Sequence, residues 1–241
     1  MHTRSFRNRD NAKNDDRNVV ALQQQQQQQL HRQQSSLRRR EEGTPLSVVA
    51  NAFEELARSI ESGSRDLQLA QFSTACSLVS ILFGCLGMAF KFAEIEYVAK
   101  VQDLLEASKT YNTLENVLDH DLNHDTVRKP GSHSRNLRRV RQGLDLIKAL
   151  FEQFLSSNGC SLKDAASTAY SQVCAPYHTW AIRKAVFFGM YALPTREQLV
   201  VKLNETDDTV QKEMERYIAA CNPIIRYIDN LYTSKHITLD W

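Results

Sequence analysis

The stretch "SHSRNLRRVRQGLDLIKALF", residues 132–151, combines an apolar stripe with a cluster of arginines, and its periodicity decides the fold class. At about 100° per residue, six apolar side chains of this segment fall within about one third of the helix circumference. These side chains are Leu137, Val140, Leu144, Ile147, Phe151 and, just beyond the quoted stretch, Phe154. The stripe predicts an amphipathic helix over about residues 134–157, with one face buried in a protein core.

The arginines of this helix lie beside the stripe. Arg135 and Arg139 are one helical turn apart on one flank, whereas Arg138 points away and Arg141 lies on the other flank. One interpretation is that long cationic side chains at a helix end extend into solvent. The other is an anion clamp, since two guanidinium groups about 6 Å apart suit a phosphate group.

The rest of the chain from Pro45 onward repeats the helical periodicity, with few alternating β-branched runs. The predicted helices cover residues 46–62, 67–87, 89–107, 110–124, 134–157, 161–175, 178–192, 195–204 and 207–235. Ser161 and Thr195 stand where N-terminal caps of two of these helices belong. We therefore predict an all-α domain of about eight helices over residues 44–241.

Residues 1–43 differ from this domain, with a glutamine run at 23–29 and few apolar side chains. Such a segment cannot bury enough surface to offset its ordering entropy, so we expect a disordered N-terminal extension. It holds nine Lys and Arg against five Asp and Glu, which leaves 21 against 23 in the domain. This balance excludes a general nucleic-acid binder.

The cysteines and the absence of catalytic motifs narrow the function classes. Five scattered cysteines without a CxxC pair fit neither a disulfide framework nor a zinc site, and they indicate a cytoplasmic protein. The first 18 residues lack an apolar run, so we expect no secretory signal. No nucleophile elbow, phosphate-binding loop or zinc-protease motif occurs. We predict no enzyme activity, no cofactor and no metal, and a hydrolase is the last alternative.

Residues 67–90 form an uncharged run of 24 residues, which is long enough to cross a bilayer. The run contains Gln68, Gln71 and several Ser and Thr residues, and a charged segment follows at once. These features favour one or two helices buried in a soluble core. A membrane-anchored protein that uses this span is the alternative.

Two further patterns allow a structural and a functional interpretation each. Glu96 and Lys100 are one helical turn apart, which is typical of a surface ion pair, but the acid and the amine could also share a polar ligand. In "CAPYHTWAIRKAV", His178 precedes Trp180, Arg183 and Lys184. An amphipathic ring beside cations is typical of membrane-surface elements, although these side chains could also pack structurally.

Several blocks, in order, resemble the glycolipid transfer protein superfamily, most closely its plant accelerated cell death branch. They are "FKFAEIEYVAKV", "VRKPGSHSRNLRRVRQGLDLIKALFEQ", "APYHTWAIRKAV", "GMYALPTREQL" and "LDW". The resemblance spans about residues 46–241. It implies a two-layer all-helical fold with an apolar pocket for sphingolipid chains. It also implies a non-enzymatic protein that carries single lipids between membranes.

By motif position, the resemblance assigns the lipid headgroup to Glu96, Lys100, Arg135, Arg139 and His178. Glu96 would take the sphingoid amide, where the family usually has aspartate, and His178 the acyl amide. Sugar-binding members place a stacking tryptophan where this chain has Arg139, whereas phosphate-binding members place a cation there. The implied ligand is therefore ceramide-1-phosphate or a related phosphosphingolipid.

The same resemblance completes the expectation for membranes and partners. Trp180, Arg183 and Lys184 would dock a cytoplasmic monomer transiently on membrane surfaces. A lipid sensor or adaptor on the same fold, without efficient transfer, is the alternative.

Overall fold

The computed structural model describes residues 43–62, 66–156 and 161–241, and in these ranges the chain forms nine α-helices. The helices are α1 Pro45–Glu61, α2 Leu69–Cys85, α3 Lys91–Ala107, α4 Leu114–Asn123, α5 His133–Ser156, α6 Leu162–Val173, α7 Trp180–Gly189, α8 Arg196–Lys202 and α9 Asp207–Ser234. Short 3₁₀ turns cover Met88–Phe90, Ala175–Tyr177 and Met190–Ala192. The predicted all-α domain is confirmed, whereas the predicted extension, apart from Gly43, lies outside the described residues.

Side-chain hydrogen bonds cap the N-termini of several helices. Ser161 accepts a hydrogen bond from the Asp164 amide, and Thr195 accepts one from the Gln198 amide, which confirms both predicted caps. Thr113 and Thr206 cap α4 and α9 in the same way. Each cap satisfies amide groups that the first turn of a helix leaves without a partner.

The uncharged run at 67–90 is not one long helix. α2 ends at Cys85, and Gly87 follows with a φ of 82°, which a side chain would strain. The Met88–Phe90 turn then leads into α3. Within the described ranges, no helix is both long enough and apolar enough to cross a membrane.

α5 packs against α3, α6 and α9, and all six residues of its predicted stripe are buried. α3 and α5 approach so closely that a Cβ on Gly143 would lie 2.6 Å from the Tyr97 ring. Farther along the same contact, the Asp103 carboxylate on α3 accepts hydrogen bonds from Asn136 and His133 on α5, at 2.9 and 2.8 Å. The two helices are therefore antiparallel, and the turn of α3 between Tyr97 and Asp103 lies opposite the turn of α5 that carries Arg139.

α9 closes the domain against α1 and α5. Arg216 on α9 forms a two-pronged contact with Glu54 on α1, at 2.7 and 2.8 Å. Arg141 on α5 contacts Asp229 on α9 in the same manner, with its Nε 2.8 Å from a carboxylate oxygen. Arg141 therefore has a structural role, because its charge is matched within the fold.

Candidate functional site

The first half of α5 carries three arginines that form no ion pair within the described residues: Arg135, Arg138 and Arg139. Arg135 donates to the Arg128 carbonyl at 2.6 Å, and Arg139 donates to the Gln142 side-chain oxygen at 2.8 Å. Within the described residues, neither has a carboxylate within 4.0 Å. Arg139 is partly buried, and burial, followed by the nearby charges of Arg135 and Arg138, lowers its pKa. A clustered positive charge without acids is a site where an anion gains the most.

Arg138 was predicted to point away from the buried stripe of α5, yet only 4% of it is exposed. Its Nη2 donates to the Leu239 carbonyl at 3.1 Å, and its guanidinium lies 5.7 Å from the centre of the Tyr177 ring. Its Nε and Nη1 are buried without a partner in the described residues. The C-terminal segment folds over this side chain, which the spacing within α5 could not show.

Glu96 and Lys100 form an ion pair on α3, with 2.6 Å between the Lys100 Nζ and a Glu96 carboxylate oxygen. Lys100 also donates to the Glu96 main-chain carbonyl at 3.0 Å. Glu96 is the more exposed partner, at 55% of its side chain against 23% for Lys100. Since Lys100 follows Tyr97 by three residues and precedes Asp103 by three, it lies at the level of Arg139 across the α3–α5 contact. The pair is thus placed at the same end of the domain as the two arginines.

His178 directly follows the 3₁₀ turn after α6. Its Nδ1 lies 2.9 Å from the Tyr170 hydroxyl, and the two rings are 5.6 Å apart. Burial, and second the positive charge of Arg139, lower the pKa of His178. Arg139 is thus one of the charged groups whose field acts on His178.

α7 has no buried residue and carries the predicted membrane-docking residues. Trp180 is 68% exposed, with the Lys184 ammonium 5.7 Å from its ring centre, and Arg183 is also exposed. The exposed large apolar side chains near α7 and the adjoining Met88–Phe90 turn are Met88, Phe92, Ile95, Ile182, Phe187, Phe188 and Tyr191. This exposed apolar face was missed in the sequence, because hydrophobicity alone does not reveal which side chains lack a neighbour.

One helical turn beyond Arg139, the contact between α3 and α5 is closely packed. The Tyr97 ring packs on Gly143, lies 5.2 Å from the Phe83 ring and donates its hydroxyl to the Cys76 carbonyl at 3.0 Å. Two cavities, of about 680 and 490 Å³, lie between α1 and α2 and beside the α4–α5 loop. Neither cavity is lined by any of the five predicted headgroup residues.

The side chains of His120 and His124 contact each other at the end of α4. Their rings stack at 4.3 Å, and the His124 Nδ1 lies 2.7 Å from the His120 carbonyl. Within the described ranges, no group of three His, Cys, Asp or Glu side chains is arranged to hold a metal ion.

The sequence of this chain matches the model of a known protein family. The model of the family described as "Glycolipid transfer protein (GLTP)" matches residues 67–205, which is more than half of the chain. The chain belongs to the glycolipid transfer protein family. Its fold is therefore the two-layer, all-helical fold that the sequence predicted.

Among curated relatives, the ACD11 homolog protein of Arabidopsis thaliana is 62% identical over 204 residues, covering 82% of this chain and 89% of that protein. Accelerated cell death 11 of the same plant is 52% identical over 202 residues, covering 83% and 98%. Within the family, this chain therefore belongs to the accelerated cell death branch.

Solved structures agree with the fold. An aspartate-to-asparagine variant of Arabidopsis ACD11, complexed with C12 ceramide-1-phosphate, superposes with a TM-score of 0.80 at 52% identity, covering 82% of this chain and 98% of that one. Human ceramide-1-phosphate transfer protein, in complex with 12:0 ceramide-1-phosphate, gives a TM-score of 0.72 at 20% identity, covering 81% and 98%. The second likeness shows the fold alone.

Proposed function

We propose that this protein is a non-enzymatic sphingolipid transfer protein that binds one ceramide-1-phosphate-type lipid and carries it between membranes. The observation that carries the proposal is the Arg135 and Arg139 pair, which has no carboxylate partner in the described chain and lies beside a buried helix face. The complexes of Arabidopsis ACD11 variants with C12 ceramide-1-phosphate support the choice of ligand, because that protein is 52% identical to this chain.

In this proposal the phosphate binds to Arg135 and Arg139, and Lys100 adds a third positive charge. Lys100 becomes available when Glu96 turns from its ion pair toward the amide and hydroxyl donors of the sphingoid base. His178 takes the acyl amide. A hydrogen bond to a charged group contributes about 1.5–3 kcal/mol, so several such bonds select a phosphate strongly over an uncharged headgroup.

The hydrocarbon chains enter the helical interior. Exposing a chain to water costs about 0.8 kcal/mol per CH₂, whereas moving it from a bilayer to an apolar interior changes little. Tyr97 packs closely on Gly143, one helical turn beyond Arg139, and contacts Phe83, so chains that enter there must displace packed side chains. The headgroup contacts therefore determine which lipid binds, and the core keeps the hydrocarbon chains away from water.

The exposed face of α7 brings the protein to the membrane. Trp180 and Phe188, both 68% exposed, enter the interface, while Arg183 and Lys184 meet anionic lipids. We propose a cytoplasmic monomer that touches membranes transiently, with residues 44–241 as the lipid-binding domain and 1–43 as a disordered extension. The proposal includes neither nucleic acid nor a cofactor, and it places the protein in programmed cell death, as the relatives' names suggest.

The test is transfer of fluorescent lipid between vesicles. The protein should transfer ceramide-1-phosphate much faster than galactosylceramide, and Arg139→Leu should slow transfer of the phosphorylated lipid at least about tenfold. Arg226→Leu, which removes an exposed arginine of α9, is the control and should transfer normally. Equal transfer of both lipids, or an unaffected Arg139→Leu variant, contradicts the phosphate assignment.

A lipid sensor or adaptor on the same fold is the second candidate. It is favoured by the closed Glu96–Lys100 pair, since a glutamate reaches this lysine more easily than the shorter aspartate usual in the family. A sensor would retain ceramide-1-phosphate in a gel-filtration assay but would not deliver it to acceptor vesicles. Delivery at a rate that depends on acceptor concentration argues against a sensor.

A further inference from the structure

Gln142 on α5 is buried, at 6% exposure, and connects Arg139 to the end of α6. Its side-chain nitrogen donates to the Val173 carbonyl at 3.1 Å, and its side-chain oxygen accepts from the Arg139 Nη1 at 2.8 Å. Because the amide nitrogen only donates and the oxygen only accepts, the Val173 contact determines which end faces Arg139. The remaining nitrogens of Arg139 have no partner in the described residues and stay available to a ligand.

Tyr170 contacts His178 through a hydrogen bond, as Gln142 contacts Arg139. In the described part of the chain, the Tyr170 hydroxyl has one hydrogen-bond neighbour, the His178 Nδ1 at 2.9 Å. Burial raises the pKa of Tyr170, so the hydroxyl keeps its proton at neutral pH. The lowered pKa of His178 keeps the imidazole neutral. With a neutral ring the hydroxyl can either donate to Nδ1 or accept from it, and when it donates, the ring proton lies on Nε2, which then serves as a donor.

Tyr170 and Val173 both lie in the last turn of α6. This turn is fixed in place, because the buried residues Ala166 and Ala169 of α6, at 2% and 0% exposure, belong to the same core as α5. The last turn of α6 thus contacts His178 directly through the Tyr170 hydroxyl, and Arg139 indirectly through the Val173 carbonyl and Gln142.

We propose that the last turn of α6, acting through Gln142 and Tyr170, orients Arg139 for a phosphate and His178 as a neutral donor for a carbonyl. Gln142 and Tyr170 are positioning residues that do not touch the lipid. The inference rests on the proposed function and deepens it: the site takes a phosphate together with a neutral acceptor such as an amide carbonyl. A neutral His178 donates its hydrogen bond without adding a charge beside Arg139.

Gln142→Glu tests the arginine half. The new carboxylate would pair with Arg139 across about the present 2.8 Å and compete with the phosphate. We expect affinity for ceramide-1-phosphate in vesicles to fall about tenfold to a hundredfold. The ligand-free variant should stay folded but melt at a lower temperature, because a carboxylate oxygen replaces the nitrogen that donates to the Val173 carbonyl. Gln142→Met, which removes both hydrogen bonds without adding a charge, should lose less affinity. Gln153→Glu, on the same helix but outside the cluster, is the matched control and should bind normally.

Tyr170→Phe tests the histidine half in the lipid-free protein. Nitrogen-15 NMR of the histidine side chains should show the Nε2-protonated form of His178 in the unaltered protein and a mixture of both tautomers in the variant. Tyr111→Phe is the control, since the Tyr111 ring also packs on a histidine, His120, at 5.1 Å. A purely structural role of Tyr170 would leave the His178 tautomer unchanged.

The two failures can be told apart. If the unaltered protein does not bind ceramide-1-phosphate, the proposed function fails, while the tautomer measurement still decides whether Tyr170 orients His178. If the protein binds the lipid, but Gln142→Glu keeps full affinity or Tyr170→Phe keeps the tautomer, the positioning role of α6 is overturned.

Discussion

Gly143 lies where α3 and α5 come closest, and Gly143→Ala should destabilise the protein. A Cβ at this position would lie 2.6 and 2.8 Å from the Cδ2 and Cε2 of Tyr97. Carbon atoms prefer separations of about 3.5–4.0 Å, so the ring must retreat by about 1 Å or the helices must separate. The ring has little freedom, because its hydroxyl donates to the Cys76 carbonyl at 3.0 Å and its face packs on Phe83.

The size of the effect follows from opposing contributions. Overpacking a core costs about 1–3 kcal/mol, and breaking the buried Tyr97 hydrogen bond adds about 1–3 kcal/mol. Alanine favours a helix by about 1 kcal/mol over glycine, which offsets part of this cost. We expect the free energy of unfolding to fall by about 1–5 kcal/mol. Because the same contact places Lys100 opposite Arg139, affinity for ceramide-1-phosphate should fall as well.

Guanidinium chloride unfolding followed by circular dichroism measures this change, and Gly84→Ala is the matched control. Gly84 is also helical, in α2, but a Cβ there would meet nothing within 4 Å. That substitution should leave stability unchanged or raise it by up to about 1 kcal/mol. The reasoning is refuted if the two variants change stability in the same direction, or if Gly143→Ala is as stable as the unaltered protein.

Three further predictions concern charge, pH and the membrane. Arg138→Met removes a buried charge with two nitrogens that have no partner in the described residues. It should leave the free energy of unfolding of the lipid-free protein unchanged or raise it by about 1–2 kcal/mol in denaturant titrations. A loss above about 2 kcal/mol would show that the hydrogen bond to the Leu239 carbonyl matters more. The lowered pKa of His178 means that the unfolded chain binds this proton more readily. The contribution of His178 to stability is therefore fully present above about pH 6.5 and is lost as the pH falls through its lower folded-state pKa. In the His178→Gln variant, the free energy of unfolding should change less with pH over this range. Trp180→Ala should weaken vesicle binding in sedimentation assays about tenfold or more while uptake of lipid from detergent stays normal; unchanged sedimentation would exclude Trp180 from the membrane contact.

Contacts within one helix could be predicted from the sequence. The six apolar residues of the α5 stripe are buried, at 0–3% exposure, as their spacing required. The i and i+4 spacing also placed Arg135 beside Arg139 and Glu96 beside Lys100, because an α-helix fixes such neighbours without help from the rest of the fold.

Contacts between distant segments could not be predicted in this way. Arg138 was expected to point away from the buried stripe, yet a carbonyl 101 residues later in the chain accepts its hydrogen bond. Gln142 and Tyr170 gave no signal of their own, since their importance arises from what α6 places beside them. Phe92 and Phe188 are apolar but 76% and 68% exposed, because no segment of the described chain covers them.

Native mass spectrometry of the full chain tests the central claim most directly. The protein would be incubated with vesicles that contain equal amounts of ceramide-1-phosphate and galactosylceramide, then separated from them and sprayed under gentle conditions. The proposed headgroup site predicts one added mass per chain, that of a single intact ceramide-1-phosphate. Galactosylceramide at equal or higher occupancy, or a chain that carries no lipid, would contradict it.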